Sequence, residues 1–163
     1  MPGQLHAAAN HSRHAIAPEQ SRFRIFIIDS ESNPAAHKVL QENFGLICDL
    51  QNEAPIYVLS RQQSIEFMRH HRERIGRDPI IAVHDLAAMD QGGTKDFHGF
   101  RLHLGLERTP QQALLALQNF VRFLSRHRQS ADLGEEACAD LVREGLAGSV
   151  EIMMGHETGE IGR

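Results

Sequence analysis

PIIAV, residues 79–83, decides how the fold is read, because it is a continuous apolar run lying between a stretch of helical periodicity and HDLAAMDQGGTKDFHG, which reads as a loop with room for one short helical turn. Unbroken apolarity of that length is expected of a strand covered on both faces, as in a parallel sheet with helices above and below it. Working outward, three more runs have the length and β-branched or aromatic content of strands: FRIFII (23–28), IYVLS (56–60) and FRLHL (100–104). DSESNP closes the first of them with Asp, Ser and Asn, and Pro34 suits the first turn of a helix. Ala36, Val39, Leu40 and Phe44 then recur at helical spacing, with Gly45 where a left-handed cap is commonly placed.

LICDL (46–50) has the length of a short strand, but QNEA and Pro55 follow so closely that no crossover helix fits before IYVLS. SRQQ after IYVLS has the form of a capping box and opens a helix carrying Ile65, Met68 and Ile75, which Gly76 and Pro79 end. His70 and His71, beside Arg69, Arg72 and Arg74, read as the solvated face of that helix. TPQQ opens another, from Pro110 to about His127, with a stripe of Leu114, Leu117, Val121 and Leu124 widened by Phe120 and Phe123. DLGEEACADLVREGL predicts one more amphipathic helix, capped by Asp132 and Glu135, and GSVEIMMG a short strand or extended tail. Strands alternating with helices imply right-handed parallel crossovers. The expected fold class is therefore α/β, flavodoxin-like and doubly wound, a mainly parallel sheet with helices on both faces. Residues 1–21 read as a flexible N-terminal arm, 22–127 as the α/β core domain, and 128–163 as a C-terminal helix and tail.

Composition narrows the function classes. The chain has 163 residues, 41% of them hydrophobic, and a formal net charge of −4 without any Lys/Arg block, which disfavours a nucleic-acid surface. No stretch approaches the roughly 18–20 apolar residues needed to cross a bilayer, and residues 1–20 lack the apolar core of a signal peptide, so a cytoplasmic location is expected. Cys48 and Cys138 form neither a CxxC pair nor a framework and read as free thiols. His6, His11 and His14 fall in the polar leader.

In an open parallel sheet, ligands sit at the carboxyl ends of the strands. Those ends read Asp29-Ser30-Glu31, Ser60-Arg61, His84-Asp85 and Gly105-Leu106-Glu107. With FRIFIIDSE as a first strand and acidic turn and LERTPQQALLALQNFVRFL as a last loop and helix, residues 22–127 resemble the receiver domain of response regulators, in the degenerate form found in flagellar transcriptional regulators. The resemblance implies Asp29 and Glu31 as the remnant of a magnesium-binding acidic corner. It also implies that Ser60 stands in place of the phosphate-accepting Asp, His84 in place of the switch Thr/Ser, and Leu106 in place of the Lys. Phosphoryl transfer to a carboxylate requires that carboxylate, a metal held by neighbouring acids, and a cation for the developing charge, and this set is incomplete. Ser60 has no G-x-S-x-G elbow and is explained by its capping box. No GxGxxG or Walker loop is present, since the glycines of QGGTKD lie in a polar loop.

His84, Asp85, His98 and His103 form the remaining cluster with metal-ligand chemistry, suited to zinc or iron, although alternation along FRLHL equally makes His103 a sheet-surface histidine beside Arg101. The function expected is a non-catalytic regulatory or protein-interaction module, not an enzyme. It would need no cofactor, with magnesium or zinc the ions its side chains suit, and would meet a protein partner or a second copy through residues 100–127. The alternatives are a small metal-dependent or hydrolytic enzyme using His84, Asp85 and His103 with Asp29 nearby, and an assembly chaperone on an α/β scaffold whose flexible ends do the work.

Overall fold

A computed structural model describes residues 21–50, 54–87, 97–130 and 133–154. Five strands, β1 (Phe23–Ile28), β2 (Ile56–Val58), β3 (Ile80–Asp85), β4 (Phe97–His103) and β5 (Val150–Met154), form one sheet in the order β2-β1-β3-β4-β5. The pair β1/β2 is parallel, and β1/β3, β3/β4 and β4/β5 are all antiparallel. The mainly parallel, doubly wound sheet expected from the sequence is therefore not what forms. The sheet is mixed, and the parallel architecture implied by the receiver resemblance does not hold.

The helices explain the reversal. From the upper edge, where β1 ends, α1 (Pro34–Glu42) and the short α2 (Phe44–Cys48) return the chain down the first face, so β2 starts at the lower edge and runs parallel to β1. LICDL thus belongs to a helical turn and its continuation, not to a strand, and Gly45 lies inside α2 and not at a cap. α3 (Arg61–His70) then packs on the second face, with Met68 against Phe26, Ile28, Ile80 and Ala82. It ends earlier than its periodicity suggests: Arg72–Arg74 form a 3₁₀ turn, Ile75 is exposed, and Arg74 is buried where a solvated position was expected. Residues 71–79 bring the chain back to the upper edge, and Ile80 pairs with Ile28.

What holds it there is Asp78. Its carboxylate accepts the Ser30 N–H at 2.8 Å and the hydroxyls of Ser30 and Ser32 at 2.5 and 3.2 Å, tying the entry of β3 to the exit of β1. Behind it, the Gly105 N–H donates to the Arg77 carbonyl at 2.9 Å, and a Cβ on Gly105 would lie 2.5 Å from the Asp78 carbonyl oxygen, so only glycine permits this approach. β4 ends at the same edge in a 3₁₀ turn, Leu104–Leu106. Two full-length helices follow, α4 (Pro110–His127) and α5 (Leu133–Arg143), and the chain re-enters the sheet at the edge it left, so β5 is antiparallel to β4.

The main core lies on the first face, where Phe23, Ile25, Ile27, Ile81, Val83, Phe100 and Leu102 meet α1, α4 and α5. The PIIAV stretch is buried on both faces as expected, but burial on two faces fixes a strand's position in the sheet and not its direction. The helix over 110–127 forms within the expected bounds, with Thr109 accepting from the Gln112 N–H. Its buried stripe is Ala113, Ala116, Leu117, Phe120, Phe123 and Leu124, turned so that the alanines make the close approach while Leu114 and Val121 are half-buried. GSVEIMMG, read as a short strand or extended tail, forms the sheet-edge strand β5. Asp132 and the leader histidines lie outside the described residues, as do residues 88–96. Among the described residues no helix is long and apolar enough to cross a membrane.

Candidate functional site

Antiparallel pairing separates the strand ends that the sequence groups together. Asp29-Ser30-Glu31, Ser60-Arg61 and Gly105-Leu106-Glu107 sit at the upper edge, but β3 runs down, so Phe23 pairs with Asp85 and His84-Asp85 reach the lower edge. The proposed trio of His84, Asp85 and His103 does not assemble. His103 lies opposite Ile80 and His84 opposite Gly99, four positions apart along the ladder, or roughly 13 Å at a strand's rise. Asp85 projects from the other face. There it takes a two-pronged contact from Arg22, Nε to Oδ1 at 2.7 Å and Nη2 to Oδ2 at 2.9 Å, and accepts the Ala87 N–H.

His84 and His103 instead belong to a polar stripe on the second face, with Arg101 between them. His103 is a buried residue and not a surface one, as is Arg101. The His103 Nε2–H donates to Glu151 of β5 at 2.9 Å, and Arg101 Nη1 lies 3.4 Å from the same carboxylate oxygen. Burial pushes the His103 pKa down against the raising effect of Glu151, so the ring is held neutral. Burial also works against an ionised Glu151, but the His103 hydrogen bond and the charges of Arg101 and Arg74 outweigh it and keep the carboxyl below its usual range. Neither Arg101 nor Glu151 carries a motif. What places them together is the register Arg101↔Glu151, which sequence does not reveal.

His84 packs edge-on to Phe26, ring centroids 5.5 Å apart, and burial first, then Arg101, Arg24 and His98, lowers its pKa from 6.5 to about 4. The unfolded chain therefore takes up a proton near pH 6.5 that the fold accepts only near pH 4. Stability is full above that window and falls as pH drops through it, to a limit of about 3 kcal/mol for this one group. Replacing His84 by Gln is expected to flatten the loss between pH 7 and pH 4 in urea titrations followed by circular dichroism. An unchanged slope would show that His84 is not the group responsible.

The Asp29 corner has the geometry of a site. Asp29 Oδ2 lies 2.5 Å from His37 Nδ1, and Oδ1 accepts the Glu31 N–H at 2.9 Å. The Asp29 N–H donates to the buried Ser64 hydroxyl of α3. Asn33 caps α1 by accepting from Ala36, and this sets His37, at the fourth helical position, back over the end of β1. Glu31 occupies the left-handed region at φ 64°, a conformation that costs energy outside glycine. Its carboxylate lies 3.9 Å from Arg61 at the start of α3. Ser60 is the cap of α3, accepting the Gln63 N–H while the Gln63 side chain accepts the Ser60 N–H. Beside this corner a cavity of about 430 Å³ opens, walled by Ile27, Leu40, Phe44, Val58 and Leu59 and rimmed by Asp29, Glu31, His37, Gln41 and Arg61.

Asp29 and Glu31 were expected as a metal-binding remnant. Both Asp29 oxygens are engaged within the turn, and among the described residues no three His, Cys, Asp or Glu side chains are grouped to hold a metal ion. His37 is the member that sequence reasoning missed. The strand-turn-helix spacing from Asp29 to Asn33 to His37 was the available signal.

A second concavity, of about 620 Å³, lies between α4 and the 145–149 turn, with Leu106, Glu107, Arg108, Leu115, Asn119 and Glu144 among its lining residues. The expected partner region, 100–127, contributes to it only in part. Phe100 to Leu104 are buried, while Leu106 and Leu115 are exposed, at 44% and 56%. No family model, curated protein or solved structure matches the chain.

Proposed function

We propose that the chain is a non-catalytic interaction module that acts as a homodimer paired through the groove between α4 and the 145–149 turn. The observation that carries this reading is the pair of exposed leucines, Leu106 and Leu115, beside Glu107 and Arg108 in that groove. Large apolar side chains flanked by polar ones are the composition of a docking patch. Glu107 and Arg108 have opposite charge and make no ion pair among the described residues, so a two-fold arrangement sets each against the other in the second copy. Glu144 is already taken by Arg122 and Arg126 of its own chain. The reactive side chains at the sheet edges support the same reading, since they are spent on structural bonds: Asp29 on His37 and the Glu31 N–H, Ser60 on its cap, Asp85 on Arg22 and His103 on Glu151.

Sedimentation or light scattering at increasing concentration tests it. The wild-type chain is expected to dimerise and Leu115→Glu to remain monomeric, with an unaltered far-ultraviolet circular dichroism spectrum because Leu115 is exposed. A wild-type chain that stays monomeric at high concentration overturns the reading, as does a Leu115→Glu variant that dimerises like the parent.

A further inference from the structure

The cavity beside Asp29 shares no lining residue with the groove and is not used by the proposed pairing. Its walls are apolar, and its volume of about 430 Å³ falls within the usual span of small-molecule pockets, roughly 300–1,000 Å³. It lies at the carboxyl ends of β1 and β2, the one parallel pair in the sheet, each followed by a helix. This is the single place where the crevice rule for parallel strands still applies.

The polar rim defines what fits. Asp29 and Glu31 are carboxylates and accept only. His37 is already engaged, its Nδ1–H donating to Asp29. Gln41 adds an amide that both donates and accepts. Against the carboxylates stands Arg61, whose side chain is 62% exposed and holds Glu31 only at 3.9 Å. Two carboxylates on the rim of an apolar wall suit a donor-rich cationic head on an apolar body. An anionic head would face two carboxylates and depend on one solvated guanidinium.

We propose that this cavity binds amphipathic primary amines, the ammonium group donating to the Glu31 carboxylate beside the negative charge of Asp29 while the hydrocarbon body lies along Ile27, Leu40, Phe44 and Val58. Octylamine, octanoate and octanol share a chain and differ in their heads, so they separate charge recognition from apolar partition. The test is a titration of the full chain with each, followed by calorimetry and by amide shifts in two-dimensional NMR. Octylamine is expected to bind saturably in the low-millimolar range or tighter, at least ten-fold better than octanoate, with shifts centred on residues 27–31, 37–44 and 58–61. Glu31→Gln is expected to weaken octylamine about ten-fold, and Arg61→Ala to tighten it by removing the competing cation. These two positions are solvent-accessible, so both variants should fold. Equal or tighter binding of octanoate overturns the proposal, as does no saturable binding of octylamine, or an Arg61→Ala variant that binds octylamine more weakly than the parent. Because the leucines of the groove are untouched, loss of amine binding with dimerisation intact, or the converse, tells the two readings apart.

Discussion

Replacing Asp85 by alanine is expected to destabilise the fold by about 3–5 kcal/mol, the usual cost of removing one partner from a buried ion pair. Asp85 is 1% exposed and Arg22 only 12%, and the guanidinium also donates through Nη1 to the Ser130 carbonyl at 2.5 Å. Without the carboxylate, a charge remains where water reaches it poorly, at a point that joins the start of β1, the end of β3 and the segment after α4. The pair itself need not be favourable over apolar packing, so Arg22→Met with Asp85→Leu is expected to recover most of the loss. The chain has no tryptophan, so urea unfolding is best followed by far-ultraviolet circular dichroism. A shift in midpoint worth less than about 1 kcal/mol for Asp85→Ala would mean that Arg22 finds solvent or another partner readily, and that the lower edge is not pinned there.

Phe123→Ala is expected to cost a similar amount, about 3–5 kcal/mol, by leaving a cavity in the main core. Phe123 is fully buried and meets Phe100 of β4 edge-to-face, with centroids 5.2 Å apart and planes at 86°, and it also stands 4.7 Å from the His127 ring. The same helix supplies its own control. Leu115→Ala, at an exposed position, is expected to change monomer stability by no more than about 0.5 kcal/mol. Equal effects at the two positions would place the helix in a different rotation about its axis.

Those two predictions differ in how far the sequence foretold them. Phe123 was legible, because an eighteen-residue stripe at helical spacing has one way to bury its apolar side. The cap of α3 at Ser60 and the two-sided burial of PIIAV were legible for the same kind of reason, each depending on residues close together in the chain. Asp85 was read as a strand-end acid beside His84, available for chemistry. Its role is set by Arg22, sixty-three positions earlier, across an antiparallel ladder that no local pattern signals. Arg74 was read on a solvated helix face and Arg101 on the His103 face of its strand, and the neighbours that bury them arrive from other elements.

The candidate site divides similarly. Asp29 and Glu31 were read as members of one acidic corner, but their partner His37 and the apolar cavity beside them emerge only when α1 folds back over β1. The grouping of His84 with His103 failed through strand direction alone.

By itself the sequence determined most of the strands, the starts of the helices at Pro34, Arg61 and Pro110 and the two-faced burial of the central strand, since these follow from spacing and capping among residues a few positions apart. Strand direction belonged to the tertiary structure. Reversal at β3 depends on a ten-residue helix that ends early and on Asp78 holding Ser30 and Ser32 from across the sheet. At β5 the chain re-enters the sheet after two full-length helices, at the edge where β4 left it. A strand presents the same apolar residues whichever way it runs, so only these long-range contacts distinguish a mixed sheet from a parallel one, and with it which polar groups share an edge.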